Sequence, residues 1–119
     1  MGYESKLIVV NRFTDSDDIF GEIIAEINLC CMSNEFFVND VFTKELNGRC
    51  LIMNDREVRK DCYDRPLKYA DVDDVLKVLY KCEAEEHYRR TKIAISCLEC
   101  FRNSTDWQDD RIAIVHYGY

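Results

Sequence analysis

Two short stretches of this 119-residue sequence are apolar at every position, residues 7–10 near the beginning and residues 112–115 near the end. Successive side chains of a β-strand point to opposite faces of the sheet, so a strand that is apolar on both faces must be covered on both. We therefore predict strands over 6–13 and 111–117 that lie side by side in the centre of a sheet.

A third strand is predicted over residues 22–30, where apolar side chains alternate along the chain. This pattern places Ile23, Ala25, Ile27 and Leu29 on one face. A period of two is typical of a strand with one buried face. A short connection near Gly21 would pair this strand antiparallel with the strand over 6–13.

The segment 71–102 contains neither Gly nor Pro, and its apolar residues recur at helical spacing. Asp71 and Asp74 place carboxylates beside the positive end of the helix dipole. One uninterrupted helix would be roughly 48 Å long, more than a domain of this size can cover. The charged stretch 83–87 interrupts the apolar stripe, so we predict two packed helices with a break near Glu83–His87.

The middle of the chain has two interpretations. Asn47-Gly48 lies between β-compatible runs at 41–46 and 49–53, which predicts a hairpin. The alternative is a helix over 34–46. We favour a helical turn around 35–40 followed by the hairpin, and we predict a loop over 54–68, which contains the only proline.

These elements together predict an α+β fold and a single domain over residues 1–119. The sheet is expected to be antiparallel or mixed, with about four strands. The two helices, at about 71–102, should cover one of its faces. The composition agrees with a globular chain, since 47 % of the residues are hydrophobic and only 4 are glycine.

The cysteine count and the absence of long apolar runs predict a cytoplasmic protein. No window holds eighteen consecutive apolar residues, and the N-terminal sequence lacks the pattern of a signal peptide. The chain has 7 cysteines, an odd number that does not fit a disulfide framework. We expect them to be reduced and mostly buried.

Patterns that would carry catalysis or bind metal are each incomplete. Cys97 and Cys100 form a CxxC, which is half of a zinc site, but no second pair accompanies them. The acidic segment 15–26 has Ile19 and Phe20 where a calcium-binding EF-hand needs a ligand and a glycine. The glycines are too scattered to form a phosphate-binding loop. We predict no catalytic residue, no metal and no cofactor.

Two other functions stay open at this point. In the first, the protein binds or sequesters a nucleotide signal, as a ligand-binding or sponge protein. Arg56, Arg59, Arg89 and Arg90 would then bind the phosphate groups of the nucleotide. A small enzyme or metal-binding protein would instead use Cys97 and Cys100, or pair a cysteine with His87 or His116.

Negative charge is the feature of the composition that bears on function. With 23 acidic and 16 basic residues, the net charge is −7, which disfavours free nucleic acid and anionic membranes. The carboxylates occur in clusters that would imitate a phosphate backbone and fit a basic surface of a partner protein. One cluster, Asp71, Asp73 and Asp74, lies at the predicted helix start. The predicted partner-binding residues are Asp15, Asp17, Asp18, Glu83, Glu85, Glu86, Asp106, Trp107 (as aromatic anchor), Asp109 and Asp110.

Four segments spread over the chain carry a resemblance to a known group. They are Met1-Gly2-Tyr3-Glu4-Ser5-Lys6, Ile24-Ala25-Glu26-Ile27-Asn28-Leu29-Cys30, Asp61-Cys62-Tyr63-Asp64-Arg65-Pro66-Leu67-Lys68 and His116-Tyr117-Gly118-Tyr119. Together they resemble small uncharacterised proteins from phages and prophages of Firmicutes. None of the segments is a catalytic motif, and Asp64 stands where that pattern has a turn glycine.

The resemblance implies a virus-associated accessory protein in the cytoplasm of a bacterial host. By analogy with small acidic phage proteins such as anti-CRISPR proteins, it implies a non-enzymatic inhibitor. The expected partner is a host protein with a basic surface, such as a CRISPR nuclease or another defence nuclease. The oligomeric state does not follow from the sequence.

Overall fold

The computed structural model describes residues 5–13, 15–29, 41–86, 89–103 and 111–119, with the backbone alone at 82–86, 89 and 90. Strands and helices follow one another along these ranges. The strands are β1 (Ser5–Arg12), β2 (Gly21–Leu29), β3 (Lys44–Glu45), β4 (Leu51–Met53), β5 (Arg56–Val58), β6 (Lys68–Asp71) and β7 (Ile112–Gly118). The helices are α1 (Val72–Glu86) and α2 (Arg89–Asn103).

Antiparallel pairing of β1 with β7 forms the middle of the main sheet. The paired residues run from Ser5 opposite Gly118 to Asn11 opposite Ile112. Within the described ranges, this sheet has five strands in the order β2-β1-β7-β6-β3, and all neighbours are antiparallel. The prediction that the two doubly apolar segments lie side by side in the sheet is therefore confirmed.

The two helices pack against one face of the sheet, which confirms the predicted α+β fold. Leu7, Val9 and Ile114 project from the sheet into this layer and are fully buried. The first helix ends at Glu86 and the second begins at Arg89, as expected from the charged interruption. Among the residues that the structure describes, neither helix is long and apolar enough to cross a bilayer. The helical side of this core consists of Val72, Val75, Leu76, Leu79, Ala94, Ile95 and Leu98.

A second hydrophobic core covers the opposite face of the sheet. Ile8, Val10 and Val115 project into it from the two central strands. The hairpin β4–β5 and the connecting segments close this core, and they contribute Phe20, Leu46, Leu51 and Leu67. This second layer is the physical reason that residues 7–10 and 112–115 are apolar on both faces.

The turn predicted at Asn47-Gly48 forms, but the prediction that the strands on its two sides pair with each other is wrong. Asn47 and Gly48 have φ angles of 56° and 82°, which suit a tight turn. However, β3 pairs with β6 and not with β4. The hairpin lies one turn further along, where Asn54 and Asp55, with φ of 53° and 62°, connect β4 to β5.

Two other predictions for the middle of the chain need correction. The segment 54–68 is not all loop, because it contains β5 and the first residue of β6. The alternative helix over 34–46 is contradicted at its end, where Lys44–Glu45 is a strand. The helical turn predicted around 35–40 lies outside the described residues.

Gly21 allows β2 to approach β1 very closely. A Cβ atom at this position would lie 2.6 Å from Val10 Cγ1 and closer still to the carbonyl oxygen of Asn11. The register of β2 then shifts, with Ile24 as the extra residue of a β-bulge. A residue with a side chain at position 21 would therefore have to move the backbone of β1.

We expect Gly21→Ala to lower the free energy of unfolding by about 1–3 kcal/mol, because the added methyl group overlaps β1. Urea denaturation followed by circular dichroism measures the change. Glu22→Ala, at the exposed neighbouring position, is the matched control and should change this free energy by less than about 0.5 kcal/mol. Equal stability of Gly21→Ala and the wild-type protein would contradict the close packing.

Candidate functional site

The connection from β1 to β2 presents three exposed carboxylates, those of Asp15, Asp17 and Asp18. We call the segment 15–18 the acidic turn. The Ser16 hydroxyl accepts hydrogen bonds from the backbone N–H of Ile19 at 3.1 Å and, at 3.4 Å, from that of Asp18. These bonds within the turn fix how the carboxylates are displayed.

The acidic turn is also tied to the second core. The N–H of Cys50 donates to the Asp18 carbonyl at 2.9 Å, and the N–H of Phe20 donates to the Cys50 carbonyl at 2.8 Å. Cys50 and Phe20 are both fully buried. The exposed turn therefore rests on buried backbone on its β2 side, which limits its movement.

The three carboxylates of the acidic turn are in no ion pair with the rest of the described chain. Five other described carboxylates differ, since each lies within 3.0–3.5 Å of a lysine or arginine. These intrachain pairs are Lys6–Glu26, Lys44–Asp71, Arg59–Glu57, Lys60–Asp64 and Arg102–Asp73. The negative charge of the acidic turn is thus not neutralised by a lysine or arginine in the described part of the chain.

An aromatic residue that the sequence did not single out lies beside the acidic turn. Phe13 is 37 % exposed, and its N–H donates to the Phe20 carbonyl at 3.0 Å. The guanidinium groups of Arg12 and Arg49 lie 5.5 and 4.9 Å from the centre of the buried Phe20 ring. The signal that could have identified Phe13 is an aromatic residue between a central strand and an acidic turn.

The side chains of the other predicted contact residues are not described. Glu83, Glu85 and Glu86 are at the end of α1, where only the backbone is described. The cluster at the start of α1 is partly neutralised, because Asp71 and Asp73 each have a basic partner. A shared acidic face therefore stays a prediction. Asp106, Trp107, Asp109 and Asp110 lie outside the described residues.

The residues of the two alternative functions do not form a site in the described part of the chain. Cys97 is half-buried against the helical core, Cys100 is exposed, and no group of three or more metal-binding side chains occurs there. Arg59 binds Glu57 and the Gly48 carbonyl, at 3.2 Å each. The side chains of Arg89 and Arg90 are not described, so the nucleotide alternative gains no support.

The far end of the sheet holds a second group of polar side chains. The described parts of the four segments that carry the resemblance meet here, since Ser5 pairs with both Leu29 and Gly118, and the Cys62 N–H donates to the Gly118 carbonyl. Cys62 Sγ lies 3.2 Å from the Tyr117 hydroxyl, and this hydrogen bond raises the pKa of Tyr117 to about 12.

His116 is a core residue at this same end. Its Nε2 atom lies 2.8 Å from the Ser5 hydroxyl, and its ring packs on Phe42 with 5.2 Å between centroids. Ser5 is fully buried, so a substrate cannot reach its hydroxyl in this structure. Burial lowers the pKa of His116 to about 4, which keeps the imidazole neutral near pH 7. Both side chains are therefore part of the buried interior of the described structure.

No protein-family model, curated protein or solved structure shows a significant match to this chain. The resemblance to phage proteins accordingly stays a prediction. The function has to be inferred from the contacts and charges of the chain itself.

His116 should make stability depend on pH. Because its pKa is lower in the folded chain (about 4) than in the unfolded chain (6.5), its contribution to stability is complete above pH 6.5. This contribution is lost as the pH falls toward 4, by about 3 kcal/mol in all.

Urea denaturation at pH 7.5 and pH 4.5, with His116→Gln as the comparison, measures this effect. We expect the wild-type protein to lose more stability on acidification than the variant, because Gln does not titrate. Acidic residues titrate in both proteins, so the difference between the two isolates His116. An identical loss in both would contradict the buried neutral imidazole.

Proposed function

We propose that the protein is a non-enzymatic interaction protein that binds a basic surface of a host protein through the acidic turn. One observation carries this proposal: Asp15, Asp17 and Asp18 are exposed, and no described cation neutralises them. A partner lysine or arginine that binds them has no intrachain ion pair to displace. The bonds that fix the turn also reduce the entropy lost on binding.

Phe13 extends the proposed contact from charge to apolar area. An exposed aromatic residue beside charged groups has the composition of an interface hot spot, in which the aromatic ring supplies affinity and the charges supply orientation. Carboxylates on a turn also steer a basic partner over distances of about one Debye length, roughly 8–10 Å at physiological salt. We expect both kinds of residue to contribute.

The partner class we propose is a protein that binds nucleic acid, because such proteins have Lys- and Arg-lined channels that accept carboxylates in place of phosphates. In the setting implied by the resemblance, the protein is a phage-encoded inhibitor in the bacterial cytoplasm. Its target there would be a CRISPR nuclease or another defence nuclease. No reaction is part of this proposal.

Capture from a bacterial lysate tests the proposal, with wild-type protein and the triple variant D15N/D17N/D18N immobilised in parallel. The matched control is E57Q/D64N/D71N, which removes the same charge from exposed carboxylates that already have intrachain partners. Compared with the wild-type protein, we expect D15N/D17N/D18N to retain at least about tenfold less of the specific partner. The control variant should reduce the retained amount by less than about threefold.

Two further measurements decide the nature of the captured partner. Retention by the wild-type protein should fall as salt rises, and duplex DNA should release the partner by competing for its channel. A captured protein that both variants retain equally, or that DNA and salt leave bound, would refute the role of the acidic turn.

A further inference from the structure

Strand β2 is an edge of the main sheet within the described part of the chain. Just before this edge, Ile19 forms a parallel bridge with Cys50, next to β4. The bulge at Ile24 then interrupts the strand. The regular segment 25–29 is the part of the edge where a further strand can be added.

A groove lies over this same segment, between β2 and α2. It has a volume of about 290 Å³ and is lined by Glu26, Ile27, Asn28, Ile93 and Cys97. Ile93 is 53 % exposed, more than the other large apolar side chains described as exposed. An apolar side chain is thus displayed on the helix beside a strand edge that can accept hydrogen bonds.

Charge restricts what can pair with this edge. When two β2 strands pair antiparallel about a two-fold axis, the residue at the axis faces the same residue of the other copy. A residue that lies a given number of positions before the axis faces the residue that lies the same number of positions after it in the other copy. If the axis passes through Ile24, Glu22 of one copy faces Glu26 of the other. If the axis passes through Glu26, the Glu26 residues of the two copies face each other. Both registers place like charges opposite each other and are disfavoured.

An axis through Ile27 avoids this repulsion and uses only the regular segment. Glu26 then faces Asn28 of the second copy, whose amide can donate a hydrogen bond to the carboxylate. Ala25 faces Leu29 in the same register. Ile27 points to the helical side of the sheet, where the groove lies, so the grooves of the two copies adjoin.

We propose that the protein forms a symmetric dimer in which segment 25–29 of β2 pairs antiparallel with its copy about Ile27. The two sheets become one continuous sheet, and Ile93 of each copy covers the joint grooves from the helical side. Gly21, where β2 begins after the acidic turn, lies six residues from the axis in each copy, and a strand rises by roughly 3.3 Å per residue. The two acidic turns therefore lie on the order of 40 Å apart, at opposite ends of the paired strands. This inference does not depend on the proposed function.

Size-exclusion chromatography with light scattering over a dilution series tests the dimer. We expect a concentration-dependent dimer for the wild-type protein and at least about tenfold weaker association for Ile93→Lys. The matched control is Ile52→Lys, which introduces the same charge at a 42 % exposed isoleucine on β4. It should dimerise like the wild type. A monomeric wild-type protein, or equal association in the two variants, would overturn the proposal.

Asn28→Asp tests the register. Within one chain, position 28 faces Lys6, so the added carboxylate does not endanger folding. Across the dimer it faces Glu26 of the other copy, so we expect the dissociation constant to rise about tenfold over that of the neutral control Asn28→Gln. Equal dissociation constants for the two variants would overturn the pairing about Ile27.

Discussion

The antiparallel contact between β1 and β7 is the interaction on which the rest of this structure depends. It joins the two ends of the described chain, and its residues separate two hydrophobic cores on opposite faces. Leu7, Val9 and Ile114 face the helices, while Ile8 and Val115 face the hairpin side. Neither core can form without these strands. Burying each such side chain contributes roughly 1.5–3 kcal/mol.

This central pair also fixes what the two ends of the sheet present. At one end β1 leads directly into the acidic turn, whose backbone is bonded to the buried Cys50. At the other end the pair brings His116 against Ser5, and both side chains are buried. The acidic turn is exposed because it continues beyond the end of β1 into solvent. The Ser5–His116 pair is buried because it lies between β1 and β7.

The elements that could be predicted from sequence are those whose signal is local. The doubly apolar stretches, the alternation in 22–30 and the helical periodicity of 71–102 reflect burial that each segment must satisfy by itself. The strands β3, β5 and β6 are two to four residues long and carry charged residues, so only their partners make them strands. Asn47-Gly48 and Asn54-Asp55 both take turn conformations, and tertiary pairing decided which of them closes a hairpin. The charge of Asp15, Asp17 and Asp18 could be predicted from the sequence, but only the fold shows that no lysine or arginine in the described part of the chain pairs with them.

Amide hydrogen exchange measured residue by residue by NMR tests most directly whether the β1–β7 pair is the centre of stability. Backbone amides that open only on global unfolding exchange slowest. We expect the slowest exchange at hydrogen-bonded amides of residues 7–10 and 112–115, with faster exchange in β2, in α2 and at the acidic turn. Slower exchange in the helices than in these two strands would contradict the account, because the helices would then be stable without the central pair.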